Sequence, residues 1–423
     1  MTVDEVLRFI EENDVTFVRL AFMDLFGRLK NMAIPPERLP EAFETGVAVD
    51  ATAVDGYEGA DGGGLLLRPD PDTLSILPWR PQTGRVCRLL CGLTDTQGTP
   101  FEGDGRAILR RAMETAAADG LDVRFSTGCG FYLLDLDDEG RPTRRPHDRG
   151  GYMDMAPLDR CEDIRRDICM TLEEMNIHPE SSLHERGCGQ NGIALPRTDP
   201  MSAADHYVSF LQAARAVSMR YGVYATFLPK PLAGEPGNGL CVGMSLYRGP
   251  QNLLRVENGE MSGEAKSAIA GILRRLPDMT LFCNPLPNGY ERLADGLTAG
   301  RLCRFDGRGA SVLRAPLPRG RFARMELESP DPTMNVYLGF ALMTHAALEG
   351  IASREELDAE RQPLADPLPQ TLIRAAERAA HSSFIRRALP ELVIERFTAR
   401  ARALDQAWRS DPDALLQSQL LQY

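Results

Sequence analysis

Val18-Arg-Leu-Ala-Phe-Met-Asp-Leu-Phe-Gly-Arg-Leu-Lys-Asn-Met-Ala-Ile-Pro35 reads as two strands folded about a turn. Val18 to Phe22 alternates with the two-residue period of a strand that has one buried face. Gly27 supplies the turn, Leu29 to Ile34 pairs back, and Pro35-Pro36 stops the ladder. Upstream, Thr2-x-x-Glu5 has the form of a capping box and opens a helix with Val3, Val6, Leu7 and Ile10 on one face. Downstream, residues 45–64 are rich in Gly, Ala and Asp and read as an irregular loop, with Gly62-Gly-Gly64 at its end. Leu65 to Leu67, Thr73 to Leu77 and Val86 to Leu93 read as further strands.

Beyond Gly98-Thr-Pro100 the pattern changes. A helix is expected from Asp104 to Ala118 with Gly120 as its cap. Strand-like runs then alternate with helices expected at 160–175, 202–221, 262–275 and 334–350, Ser202-x-x-Asp205 opening the second of these. The tail from 367 to 410 is mostly helical. The class is α+β: a small β-rich domain over residues 1–99, then a larger domain of sheet and helices over 100–423.

Composition bounds the function. Apolar residues make up 43% of the 423 and charged residues 26%, so a sizeable core can form. A formal net charge of -12 argues against nucleic acid as a partner. No apolar run has the roughly 20 residues that span a bilayer, and the N-terminus lacks the cationic-then-apolar pattern of a signal peptide. The nine cysteines are scattered without a CxxC pair. A reduced, cytoplasmic protein is expected.

Several segments, in order, resemble the bacterial glutamine synthetase family. They are the hairpin above, Leu67-Arg-Pro-Asp-Pro-Asp-Thr73, Leu77-Pro-Trp79, Pro100-Phe-Glu-Gly-Asp104 and Gly150-Gly-Tyr152. Ala225-Thr-Phe-Leu-Pro-Lys-Pro231, Asn288-Gly-Tyr-Glu-Arg-Leu293 and Ser329-Pro-Asp-Pro-Thr-Met-Asn-Val-Tyr-Leu338 continue the series. The resemblance covers residues 3–423. It implies a β-grasp-like N-terminal domain and a catalytic domain of antiparallel sheet with flanking helices. It also implies homo-oligomeric rings, a hexamer or a stacked dodecamer, with sites at subunit interfaces. The family's reaction activates the glutamate γ-carboxylate as an acyl phosphate, which ammonia displaces. The implied cofactors are ATP with Mg²⁺ or Mn²⁺, hard cations that prefer carboxylate oxygens.

Most of the carboxylates that hold those cations are gone. The family's first Glu-Pro-Glu strand here reads Gly128-Cys129-Gly130-Phe131-Tyr132. His184-Glu185 survives, whereas Gly189-Gln190-Asn191-Gly192 ends in glycine instead of glutamate. The histidine ligand is replaced by Cys241 in Gly237-Asn-Gly-Leu-Cys241, and Glu326 keeps the last glutamate. Glu185 and Glu326 are the metal ligands retained, one for each implied metal site. The resemblance assigns His184 and Ser245 to the nucleotide, Arg292 and Arg314 to the substrate carboxylate and phosphate, and Asp50 to ammonium. Glu328 stands where the family has an arginine, reversing the charge. Another arginine position is Gly309, beside Arg308, and the flap glutamate is Thr298. The scaffold motifs are intact while the site is depleted, and random decay would strike both.

Two readings stand beside that. Glu185 and Glu326 hold a metal, or they are solvated or paired with nearby arginines such as Arg292 and Arg314. Cys129 should face the core, opposite the lost ligands, so a Cys129–Cys188–Cys241 zinc site is not expected. Three functions compete: a non-catalytic homologue in rings, alone or with an active glutamine synthetase paralogue; an ATP-dependent glutamate–ammonia or glutamate–amine ligase with an altered metal site; and a small-molecule sensor.

Overall fold

The computed structural model describes residues 1–58, 64–80, 83–256, 261–295, 302–304, 311–315, 323–357 and 367–423. The opening helix is Val3–Glu12, with the Thr2 and Glu5 capping box formed in both directions. A first sheet follows from β1 (Val15–Met23), β2 (Leu29–Ile34), β3 (Val47–Asp50), β4 (Gly64–Pro69), β5 (Ser75–Ile76) and β6 (Arg85–Thr94). Their order is β2-β1-β6-β4-β3, with β5 on β6. The β1–β2 hairpin is antiparallel, and Val18 lies opposite Ile34. Its turn closes on Asp24, whose Oδ1 accepts from the Phe26 and Arg28 amides at 3.0 and 2.9 Å. Gly27 sits at φ +83°, where a side chain would be strained.

A second sheet is built from β7 (Asp122–Leu136), β8 (Pro142–Pro146), β9 (Ser181–His184), β10 (Gln190–Ala194) and β11 (Val223–Thr226). It is completed by β12 (Leu240–Arg248), β13 (Gln251–Asn252), β14 (Leu302–Arg304), β15 (Leu313–Ala315) and β16 (Met325–Leu327). The order is β14-β15-β16-β12-β7-β10-β9, with β8 and β11 on β7 and β13 on β12. The α+β class holds, with a mainly antiparallel second sheet.

One face of β7 carries the core. Phe125 stacks on Phe340 with ring centroids 4.1 Å apart, and Phe131 meets Phe210 and Phe227 at 5.9 and 5.6 Å. Phe210 belongs to helix Pro200–Arg220, which lies over this face and is capped by Asp199. The cap expected at Ser202 is one turn too late; Ser202 instead donates its amide to Asp199 Oδ1. Helix Gly263–Cys283 runs beyond the expected end at 275, through Pro277. Helix Val336–Ser353 is long and apolar enough to cross a membrane, yet 72% of it is buried inside the protein. It is a core helix. Cys87, Cys91, Cys129, Cys161, Cys169, Cys188, Cys241 and Cys283 are free thiols.

Candidate active-site cleft

The other face of β7 opens into a cleft of about 290 Å³ lined by Gly128, Gly130, Glu185, Gly192, Gly237 and Cys241. The two-residue period puts Gly128 and Gly130 on this face and sends Cys129 into the core. Cys129 is buried, and its sulfur lies 3.8 Å from the Tyr207 hydroxyl. Gly130 pairs with Gly192 of β10, and Gly128 pairs with Cys241 of β12. The floor of the cleft is therefore bare backbone where the resemblance expects carboxylates.

Glu185 projects into that space. A Cβ on Gly192 would stand 2.7 Å from its Oε1. Burial raises the Glu185 carboxyl above its ordinary range, and the nearby charge of Glu328 adds to this while Arg186 opposes it. Among the described residues Glu185 has no hydrogen bond or ion pair through its carboxylate.

Glu326 accepts from Arg324 Nε at 2.8 Å, and Arg324 Nη1 reaches Glu180 at 3.2 Å. Arg314 pairs with Glu328 at 3.2 Å. Glu326 is thus paired with a nearby arginine, Arg324, and not with Arg292 or Arg314. Arg314 is taken by the glutamate that replaced an arginine, and Glu326 is taken by its strand neighbour Arg324. The Cys241 sulfur lies within 4.8 Å of a carboxylate oxygen of Glu326 and of Glu328; burial first, then the two glutamates, hold that thiol well above its usual pKa.

Arg292 is enclosed. It donates to the Ser329 carbonyl, to the Glu328 carbonyl at 3.4 Å and to Asn284 Oδ1 at 3.0 Å. Gly237 is needed here, because a Cβ would fall 2.4 Å from Arg292 Cγ. In this arrangement Arg292 braces backbone and presents no free fork to a ligand.

His184 is also turned inward. Its Nε2 lies 3.0 Å from Asp148 Oδ1 and its Nδ1 lies 2.7 Å from the Glu185 carbonyl. Asp148 further accepts from the amides of Gly189 and Arg160 at 2.7 and 3.0 Å. Ser245 is buried, donating to the Ala323 carbonyl at 3.1 Å and accepting from Arg197 at 3.3 Å. Both ring nitrogens and this hydroxyl are engaged within the protein. Asp50 is exposed at the end of β3, accepting from the Thr52 amide and hydroxyl at 2.9 and 2.6 Å, and does not line the cleft. Thr298, Arg308 and Gly309 lie outside the described residues.

Reading the sequence missed three contributors. Asp148 anchors His184, and only folding brings it there. Arg324 neutralises Glu326. Gln190 braces the cleft wall, its Nε2 reaching the Gly237 carbonyl and Asn238 Oδ1 at 3.1 and 3.0 Å. A signal for Arg324 was present in its two-residue spacing from Glu326 on one strand face.

The residues present do not fit a pair of hard cations. One side of the cleft offers the single carboxylate of Glu185, and the other mixes a thiol with arginine-bound carboxylates. Mg²⁺ needs near-octahedral oxygen donors.

Comparison with known proteins follows the same outline. The family profile described as glutamine synthetase, catalytic domain, matches residues 102–415. The profile described as glutamine synthetase, beta-Grasp domain, matches residues 14–96. Glutamine synthetase of Clostridium saccharobutylicum is 35% identical over 414 residues, covering 94% of each chain. That of Methanosarcina mazei is 36% identical over 412 residues, covering 94% of this chain and 92% of its own. Among solved structures, apo GmaS without ligand superposes with a TM-score of 0.86 at 24% identity, covering 96% of each chain. A novel glutamine synthase homolog superposes with a TM-score of 0.84 at 23% identity, covering 97% of this chain and 99% of its own.

Proposed function

This chain belongs to the glutamine synthetase family, and from that premise we propose that it is a catalytically inactive or impaired member, acting as a structural or regulatory homologue within ring oligomers. One observation carries the reading: Gly128, Gly130 and Gly192 leave the floor of the cleft without the carboxylates that would hold the nucleotide's metals. Phosphoryl transfer is almost entirely positioning and charge stabilisation. A site with one unpaired carboxylate, and with Arg292 and Arg314 already engaged, lacks both supports. Binding of ATP with Mg²⁺ or Mn²⁺ is weakened or lost on this reading.

Ring assembly has its own support. Tyr152, Met153, Met155 and Leu158 are 55%, 60%, 76% and 56% exposed within one short segment. Apolar side chains concentrated this way mark an interaction surface.

The test is nucleotide binding, read by thermal shift and calorimetry in Mg²⁺ and then Mn²⁺. A ligand at about 100 times its Kd stabilises a protein by about 2.7 kcal/mol, so binding would register. No saturable binding of ATP at millimolar concentration is expected. Saturable metal-dependent binding that disappears in Glu326→Ala would overturn the proposal.

A further inference from the structure

The substitutions in the cleft remove one ligand set and assemble another. Cys241 Sγ and one carboxylate oxygen each from Glu326 and Glu328 all lie within 4.8 Å of one another. The strands explain the convergence. β12 and β16 run antiparallel, with Val242 opposite Leu327 and Gly243 opposite Glu326. Side chains on one face recur at every second residue. Cys241 and Gly243 therefore share a face with Glu326 and Glu328, and Gly243 places no side chain between the donors. On the far side of Cys241, Gly128 is its partner across the ladder, so the thiol borders the cleft instead of another side chain.

Each carboxylate has an arginine partner from outside the trio, a hydrogen-bonded one at Glu326 and an ion pair at Glu328. Arg324 Nε engages Glu326 Oε1 at 2.8 Å and Arg314 Nη1 engages Glu328 Oε1 at 3.2 Å. Partners of this kind fix the orientation of metal-ligating carboxylates. They also balance two negative charges with two positive ones, so a divalent ion and a thiolate can be added without a large excess of either sign.

Donor chemistry selects the ion. A thiolate is a soft ligand that disfavours Mg²⁺ and Mn²⁺ and suits Zn²⁺, which takes Cys sulfur together with carboxylate oxygen. We propose that Cys241, Glu326 and Glu328 form a Zn²⁺ site with three protein ligands and a fourth position open to the cleft. On binding, a Zn–S bond forms as the Cys241 S–H proton leaves to solvent, and no oxidation state changes. The site stands whether or not the cleft ligates glutamate, and its occupancy is measured without turnover.

The experiment uses the full chain stripped with a chelator and titrated with Co²⁺ as an optical probe, then with Zn²⁺ by calorimetry. The expected result is one equivalent of Co²⁺ with thiolate-to-metal charge-transfer absorbance, displaced by Zn²⁺ but not by excess Mg²⁺, with proton release on binding. Cys241→Ser should abolish that absorbance and weaken Zn²⁺ binding by at least about tenfold. Glu328→Gln should weaken Zn²⁺ binding similarly while keeping the absorbance at saturating Co²⁺. Cys188→Ser should change neither. Metal-free melting curves establish that each variant folds, and the two variants give independent readings. Absorbance that survives Cys241→Ser, displacement by Mg²⁺, or no uptake of Zn²⁺ by the parent protein would overturn the proposal.

Discussion

Arg292 and Asp331 are both buried and near enough for each to feel the other's charge. Arg292 supplies hydrogen bonds to two backbone carbonyls and to Asn284. An Arg292→Met exchange would leave those acceptors dry, at about 1–3 kcal/mol for each unsatisfied group. The expected outcome is a clear drop in the urea midpoint; an unchanged midpoint would mean the side chain is free for a ligand instead. Asp331 is fully buried, and its Oδ1 accepts from the Thr333 amide and hydroxyl. Burial raises its pKa from 3.8 to about 6, against the opposing charge of Arg292. The folded state then binds a proton that the unfolded state releases, so this group's contribution to stability is present below pH 3.8 and is lost as pH rises through about 6. Asp331→Asn should remove that decline, so the parent should lose stability relative to the variant as pH rises from 3.8 through about 6. At this scale the sequence was legible where a residue type is missing, as at Gly128, Gly130 and Gly192. It was not legible where a partner is chosen by folding. Arg314 had several acidic candidates in the chain; the β15–β16 register sets it opposite Glu326, and it takes as partner Glu328, two residues further along the same face.

Elements were readable when their signals are local. The Thr2–Glu5 box, the Gly27 turn and the Leu29–Ile34 return strand form as their residues dictate. Helix Gly263–Cys283 shows the limit. Pro277 costs a helix interior about 3 kcal/mol, which suggests a stop, yet packing against helix Val336–Ser353 carries the helix through. That packing depends on a close approach. A Cβ on Gly350 would lie 2.2 Å from the Ser267 carbonyl oxygen, and one on Gly271 would lie 2.4 Å from that of Ala346. Gly350→Ala should cost about 1–3 kcal/mol, the usual range for overpacking, measured as a lower midpoint with an unchanged denaturant slope. Strand β3 was missed for the opposite reason. Val47-Ala-Val-Asp50 is too short to stand out from a Gly- and Asp-rich stretch, and its identity comes from pairing with β4.

At the scale of the whole molecule, both sheets and the helical layers keep the family's form, while the cleft between β7, β10 and β12 is lined by Gly128, Gly130, Gly192 and Cys241. That division was largely legible in the sequence, because scaffold motifs and ligand positions are separate stretches. The fate of the surviving carboxylates was not, because it depends on which arginines the folded sheet places beside them. Assembly belongs to this scale too. If the segment 152–158 packs between subunits, Met155→Asp with Leu158→Asp should lower the mass measured by light scattering from ring to smaller species; an unchanged mass would remove that segment from the interface.

On the proposed reading this scaffold has lost ATP-dependent ligation or retains little of it. The most direct test is phosphate release from ATP by the purified protein with glutamate and ammonium, in Mg²⁺, Mn²⁺ and Zn²⁺, beside an active glutamine synthetase and a Glu326→Ala control. The expected result is release no faster than in the control. Turnover at the active enzyme's level that vanishes in Glu326→Ala would contradict that reading, because the surviving carboxylates would then suffice for chemistry.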